Sequence, residues 1–217
     1  MMTSLFSSFD PSSSIMQMNW ILILTTTVLL PMNFWIKKSP WNMLKKTIEK
    51  KLIEEMKNIS HHKEMMIFST STFIMILVMN TMGLFPYTFT PSSHLCLTLS
   101  IALPMWMSMM IYGWVKHTNK MFTHLLPSGT PTPIMPMMII IETLGNMIRP
   151  ISLSVRLMAN MMAGHLLMTL LGNNNSLSLE MMILPTQIML TMFESAISVI
   201  QAYVFSTLLT LYSSETP

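Results

Sequence analysis

Five ionisable residues lie inside otherwise apolar sequence in the second half of the chain. They are Glu142, Arg149, Arg156, His165 and Glu194. An ionisable group in the middle of a membrane costs from about 2.5 to more than 10 kcal/mol, so it persists only in a polar cavity or a pair. If these segments cross a membrane, the default interpretation of such residues is an ion pathway.

Arg156 is the residue that a purely structural explanation accounts for least well. Residues 157–179 contain no Asp, Glu, Lys or Arg, so its side chain has no nearby polar helix end at which to reach water. Arg149 and Glu142 lie nearer a helix end. For these two residues, snorkelling to the membrane surface stays open as an alternative.

Helical periodicity sorts these residues by face. Seven residues turn an α-helix by about 700°, almost two full turns, so Glu142, Arg149 and Arg156 share one face and Asn160 continues it. His165 follows Arg156 by nine residues, a rotation of about 900° that places it on the opposite side. One helix therefore presents a permanent cation on one face and a titratable imidazole on the other.

The last helical pattern adds a second polar face, formed by Glu194, Ser198 and Gln201. A lone histidine on an apolar face, such as His165, is commonly a structural residue. With Glu194 on the neighbouring helix, the alternative is a proton relay, because histidine titrates near neutral pH. A symmetric hairpin would offset these two side chains by about 10 Å, so a shared pocket needs an uneven turn, a bend or a water chain.

The composition requires a membrane around these elements. Of 217 residues, 51% are hydrophobic and 10% are charged, whereas soluble domains carry about 25% charged residues. Residues 11–36 and 65–115 contain no Asp, Glu, Lys or Arg. Since about 20 apolar residues cross the hydrocarbon, the first stretch holds one crossing and the second holds two. This pattern excludes a water-soluble globular protein.

We predict a single membrane domain over residues 1–217, with an all-α fold of about five hydrophobic helices and one amphipathic surface helix. In chain order, the predicted elements are a crossing at 15–36, the surface helix at 40–59, crossings at 65–85 and 95–115, and two long helices at 137–171 and 180–212. The final helix would be about 48 Å long against a hydrocarbon core of about 30 Å. This excess length predicts that the last two helices form a strongly tilted hairpin.

The basic residues predict the orientation in the membrane. All of them except Arg149 and Arg156 fall in residues 37–63 and 116–120, and a chain that crosses once and then twice more returns to the same side there. The positive-inside rule places both stretches on the matrix or cytoplasmic side and the N-terminus outside. The single cysteine, Cys96, excludes an internal disulfide and a cysteine-built metal site. Neither a cofactor nor a metal is expected.

Two segments resemble the signatures of the ATP synthase subunit a family. The first is Ser154–His165, with the sequence SVRLMANMMAGH, and the second is Ile200–Phe205, with the sequence IQAYVF. Glu194 precedes the second segment at the distance found in the family, and His165 before Glu194 is the mitochondrial order. The N-terminal Phe9-Asp10-Pro11 resembles invertebrate mitochondrial forms, and the similarity extends over the whole chain.

The resemblance implies a proton-translocating stator subunit of ATP synthase in the mitochondrial inner membrane, with its N-terminus in the intermembrane space. Its partners would be a c-ring with a carboxyl group on each subunit, peripheral stalk subunits and membrane lipid, but no nucleic acid. The chain would not be an enzyme on its own. It would act as a membrane subunit of the synthase complex and would need no cofactor.

The resemblance also implies roles for single residues. Arg156 would face the ring between two half-channels, favour release of the proton from the ring carboxyl and prevent a direct leak, because a guanidinium stays charged in proteins. The other proton-pathway residues would be His165 and Glu194 on the intermembrane-space side, Glu142 and Glu215 on the matrix side, and Asn160 and Gln201 beside Arg156.

Two other classes of membrane protein compete with this interpretation. A secondary transporter, or another proton-conducting inner-membrane subunit, would also keep ionisable residues in the membrane. Transporters usually carry inverted repeats and paired broken helices, and no internal repeat is visible in this sequence. A purely structural anchor has no reason to keep Arg156, His165 and Glu194 in lipid. The transporter stays the alternative on the sequence alone.

Overall fold

The fold is known from a computed structural model, which describes residues 5–12, 17–24, 39–59, 63–85, 88–126, 131–173 and 180–215. The α-helices in these ranges are α1 (Pro40–Ile59), α2 (Lys63–Gly83), α3 (Leu95–Lys116), α4 (Thr118–Leu125), α5 (Met135–Asn173) and α6 (Glu180–Glu215). Short 3-10 turns lie at Leu5–Phe9, Met18–Ile21 and Pro91–Ser93. The described ranges contain no β-strand.

Four helices are long and apolar enough to cross a membrane, namely α2, α3, α5 and α6. This finding confirms the predicted all-α membrane class. The first predicted crossing, 15–36, lies mostly outside the described residues. Its described part is the 3-10 turn Met18–Ile21, which continues into a helical turn at residues 22–24.

Helix α1 occupies residues 40–59, the range given above for the amphipathic helix. Pro40 stands at its first position, where a backbone N–H would have no helical partner. The Oγ of Ser39 accepts a hydrogen bond from the N–H of Asn42 at 3.3 Å and so caps the helix.

The apolar face of α1 divides into two halves. Large apolar side chains of the first half are exposed, while Leu52 and Met56 of the second half are buried against α2 and α6. The hydroxyl oxygen of Thr210 lies 3.4 Å from the sulfur of Met56. A helix lying only on a membrane surface would leave its whole face to lipid, whereas this one inserts its C-terminal half into the bundle.

The core forms where α2 packs along α6 and α3 packs along α5. Its buried apolar residues come from α1, α2, α3, α5 and α6: Leu52, Phe73, Ile76, Ala102, Leu153, Leu157, Ala202 and Phe205. Hydroxyl groups in this core bond to backbone carbonyls three or four residues earlier, as Thr70 and Thr210 do. Such back-bonding satisfies a hydroxyl where no water is available.

Helices α5 and α6 are the two long helices predicted at 137–171 and 180–212, and both extend beyond those bounds. They contain 39 and 36 residues, which corresponds to lengths of about 58 and 54 Å. Both exceed the hydrocarbon thickness of about 30 Å. Pro150 and Pro185 lie inside these helices without ending them. The strong tilt stays a prediction that follows from these lengths.

The short helix α4 was not predicted from the sequence. It begins directly after α3, and Met121 packs against Gly113, where an added Cβ would lie 3.0 Å from the methionine sulfur. Trp114 and Phe122 also meet edge to face, with ring centroids 5.1 Å apart. These contacts fold α4 back onto the end of α3.

Candidate functional site

Helices α5 and α6 form an antiparallel hairpin whose register is set by contacts along its length. In order from the connecting loop, the contacting pairs are Gly172 with Gln187, Gly164 with Glu194, Asn160 with Gln201, and Arg149 with Glu215. Residue numbers fall along one helix as they rise along the other, as an antiparallel pairing requires. Part of the polar set singled out from the sequence therefore lies along one helix–helix seam, namely Arg149, Asn160, Glu194, Gln201 and Glu215.

The register shows that the hairpin turn is uneven. Gln187, already seven residues into α6, lies beside Gly172, the penultimate residue of α5. A symmetric hairpin would separate His165 and Glu194 along its axis, and this shift of roughly 10 Å cancels that separation. As a result, Glu194 lies at the level of Gly164 and His165.

Gly164 makes room for the carboxyl group of Glu194. A Cβ added at Gly164 would lie 2.7 Å from Oε1 of Glu194 and 2.9 Å from its carboxyl carbon, closer than nonbonded atoms approach. The Glu194 side chain thus packs directly on the α5 backbone and is only 9% exposed. Its Oε1 has no hydrogen-bond partner among the described residues, so it is available to water or a neighbouring group.

The His165 side chain lies on the side of α5 opposite Arg156, as the helical periodicity predicted. Its imidazole forms a hydrogen bond with the backbone of Gly83 at the end of α2. The Phe9 ring meets it edge to face, with centroids 6.4 Å apart. Its Nε2 is buried and has no partner within the described part of the chain. One ring nitrogen is therefore fixed, and the other is free to exchange a proton.

The two groups line one cavity of about 810 Å³, which we call the His165 cavity. Its walls also include Asp10, Asn19 and Thr191. A cavity of this size with several polar groups has ample room for water, which two unpartnered polar atoms require.

A smaller cavity of about 150 Å³ continues along the hairpin from the same two groups. Asn160, Gly164, His165 and Glu194 are among its lining residues. The rest of its lining is apolar. The side-chain amide of Asn160 donates a hydrogen bond to Oε1 of Gln201 at 2.9 Å. This amide pair lies one helical turn beyond Arg156 on α5.

The opposite end of the hairpin holds a separate polar cavity of about 300 Å³, here the Glu142 cavity. Glu142, Asn146, Arg149, Tyr212 and Glu215 contribute its polar lining. It is the region where α3, α4, α5 and the C-terminal end of α6 meet.

Arg149 forms an ion pair with Glu215 across the hairpin and lies 4.9 Å from the centroid of the Tyr212 ring. Sequence reasoning left snorkelling open for Arg149 and missed this pairing. The available signal was its spacing of eleven residues from Asn160, close to three full helical turns, which places both residues on the seam face of α5.

Arg156 lies between the two cavities. Along α5 it is seven residues from Arg149 and nine from His165, or roughly 10 and 14 Å. Its side chain is exposed on the outside of the bundle, and no described side chain pairs with it. An unpaired guanidinium at this depth requires an anionic partner from outside the chain or water.

No group of three His, Cys, Asp or Glu side chains in the described ranges could hold a metal ion. The polar groups that line the cavities are carboxyl, imidazole, amide, hydroxyl and guanidinium groups. Together, the membrane-length helices and the two polar cavities define an α-helical membrane protein built to conduct ions or protons.

Comparison with known proteins gives the family. A family model described as ATP synthase A chain matches residues 13–214. ATP synthase subunit a of Locusta migratoria is 49% identical over 223 residues, and that of Drosophila melanogaster is 49% identical over 222 residues. The protein of Anopheles gambiae is 47% identical over 224 residues, and each match covers 99% of both chains.

The chain belongs to the ATP synthase subunit a family. It is thus a multi-pass membrane subunit of an ATP synthase complex, the subunit through which protons cross. Membership in this family decides against the secondary transporter that the sequence left open. The family predicted from the sequence is confirmed.

Proposed function

We propose that the two cavities are the two proton half-channels of the synthase and that protons passing through them turn a ring of c subunits. The observation that carries this proposal is the position of Arg156 between two separate polar cavities on one helix. A continuous pore would dissipate the proton gradient, whereas two half-channels oblige each proton to travel on a rotating partner.

The His165 cavity would be the half-channel that opens to the intermembrane space. A proton arriving there through water is taken up by the free Nε2 of His165 or the free Oε1 of Glu194, both of which face buried space. The smaller cavity toward Asn160 supports onward transfer, because it joins these two groups to the amide pair near Arg156.

Arg156 would face a carboxyl group of the ring. Its charge favours the deprotonated carboxylate, so a ring carboxyl passing it gives up its proton on one side and accepts another beyond it. Because a guanidinium stays charged in proteins, it also repels protons that would otherwise leak between the half-channels. Each charge that crosses releases about 2.3 kcal/mol per 100 mV of membrane potential, which drives rotation.

The Glu142 cavity would be the half-channel that opens to the matrix. Glu142 and Glu215 both line it, and the Arg149 ion pair holds the Glu215 carboxylate in its wall. A proton released from the ring would pass these carboxylates on its way to the matrix. Asn160 and Gln201 complete the set as polar neighbours of Arg156.

The proposed location is the mitochondrial inner membrane, with the N-terminus in the intermembrane space. The lysine-rich stretches 37–63 and 116–120 support this orientation through the positive-inside rule. The proposed partners are the c-ring, peripheral stalk subunits and membrane lipid, without nucleic acid. ATP chemistry would take place elsewhere in the complex, so this chain would not be an enzyme on its own and would bind no cofactor.

The direct test is Arg156→Ala in the assembled synthase reconstituted into lipid vesicles. We expect ATP-driven proton pumping and proton-driven ATP synthesis to be lost, while the complex keeps its subunit composition on native gels. Lys120→Ala, which removes a positive charge from an exposed position of α4, is the matched control and should retain coupling. Coupled synthesis near the wild-type rate in Arg156→Ala would remove Arg156 from this role.

A further inference from the structure

The N-terminal segment forms part of the wall of the His165 cavity. The segment consists of the 3-10 turn Leu5–Phe9 and the residues that follow it up to Ser12. Several residues of this segment line the cavity. Phe9 is only 6% exposed, because its ring packs edge to face against His165. The next residue, Asp10, is exposed and also lines the cavity. A carboxylate thus lies at the mouth of a cavity whose interior holds Glu194.

His94 holds this segment in place. Its Nε2 lies 3.0 Å from the backbone carbonyl oxygen of Phe9, 85 residues away in the chain, and donates a hydrogen bond to it. The His94 ring is itself fixed by Trp20 and Phe89, with ring centroids 5.2 and 5.3 Å away. The position of Asp10 beside the cavity therefore depends on a contact made by the preceding residue.

We infer that Asp10 is the outer proton-collecting group of the His165 cavity and that His94 is the positioning residue that keeps it there. This inference rests on the proposed function, in which the cavity admits protons. The Asp10 carboxylate takes a proton from hydronium or a buffer acid and passes it through water toward Glu194. The transfer restores the Asp10 carboxylate, so no group is consumed.

The geometry requires such a group because the inner acceptors are secluded. Glu194 lines the cavity but is nine-tenths buried, and its Oε1 is buried without a hydrogen-bond partner in the described ranges. In the described residues, Asp10, His165 and Glu194 are the titratable groups that line this cavity. Asp10 is the exposed member of the set.

The expected size of the effect follows from the charge. One unit charge about 5 Å away in water, at an ionic strength of about 0.1 M, changes the local proton concentration roughly two- to threefold. Removing that charge slows proton uptake by about this factor when free protons and dilute buffer are the only donors. A concentrated mobile buffer delivers protons to the interior directly, so it should cancel the loss.

The experiment measures proton-driven ATP synthesis by the whole synthase in vesicles whose lumen faces the His165 cavity. Luminal buffer concentration is varied at constant luminal pH. Asp10→Asn should be slower than wild type in dilute buffer, by roughly two- to threefold, and equal to it in concentrated buffer. Asp10→Glu, which keeps a carboxylate, should match wild type throughout. Glu64→Gln, at an exposed position in the first turn of α2, is the charge-matched control and should have no effect.

Variants of His94 test the positioning role. His94→Ala should reproduce the buffer-dependent loss of Asp10→Asn, and His94→Gln, whose amide can donate to the Phe9 carbonyl, should reverse it. An Asp10→Asn enzyme that equals wild type in dilute buffer would overturn the inference. So would a loss that is the same at every buffer concentration, because a structural defect does not depend on buffer. A failure of the proposed function would be recognised by a different result. In that case Glu194→Gln would keep the wild-type rate of ATP synthesis at every buffer concentration.

Discussion

Replacing Gly164 by alanine tests whether the carboxyl group of Glu194 must lie against the backbone of α5. The added Cβ would lie 2.7 Å from Oε1 of Glu194, so the carboxyl has to move by roughly 0.7 Å or more to reach an ordinary nonbonded distance. Overpacking typically costs about 1–3 kcal/mol, and the low end applies here because the displaced atoms are the flexible end of the Glu194 side chain. Part of this cost is offset by helix propensity, since alanine is favoured over glycine by about 1 kcal/mol in a helix.

If the displaced carboxyl adds about 1.4 kcal/mol to the barrier for proton uptake, the rate falls about tenfold. The assay is proton-driven ATP synthesis by the reconstituted synthase, together with passive proton leak in the absence of nucleotide. Synthesis should fall by roughly an order of magnitude, while leak stays at the wild-type level because Arg156 is unchanged.

Gly145→Ala is the matched control for this experiment. Gly145 lies in the same helix, and an added Cβ there would meet no atom within 4 Å. That variant gains the same helix propensity without displacing anything, so its synthesis rate should equal wild type. Wild-type synthesis in Gly164→Ala would refute the reasoning, because it would mean that Glu194 can leave its place without consequence.

Two further outcomes are expected. Glu194→Gln should slow proton-driven synthesis without raising passive leak, and a large leak would show that the barrier is assigned to the wrong residue. Helices α5 and α6 should lie more than about 30° from the membrane normal, beyond the average tilt of about 20°, because their length exceeds the hydrocarbon thickness. Oriented-sample spectroscopy or an imaged complex with its lipid belt measures that angle, and two steep helices would contradict the prediction.

Sequence reasoning predicted the helices well where the deciding signals are local. The start of α1 follows from Ser39 as a cap and Pro40 at the first position, both of which act within one turn. The long apolar patterns placed the ends of α5 and α6 within three residues of their observed ends. Helix α4 was missed because a short polar segment is made helical mainly by packing, here against Gly113.

The side-chain arrangement was only partly predictable. Periodicity placed His165 on the opposite side of α5 from Arg156, and Ser198 with Glu194 on one face, because rotation per residue is fixed. The hairpin register could not be obtained in that way. It depends on Glu194 fitting against Gly164 and on Arg149 pairing with Glu215, contacts between residues 30 and 66 positions apart in the chain.

The register of the hairpin also has a mechanical consequence. Its contacts are spread from Gly172 near the loop to Arg149 near the far end, so a slip of one helical turn, about 5.4 Å, would break all of them together. Interdigitated seams of this kind have discrete arrangements and do not deform gradually. Under the proposed function, in which a rotating ring exerts torque on Arg156, the hairpin would resist as a single rigid unit, and the two cavities would keep a constant separation during each step.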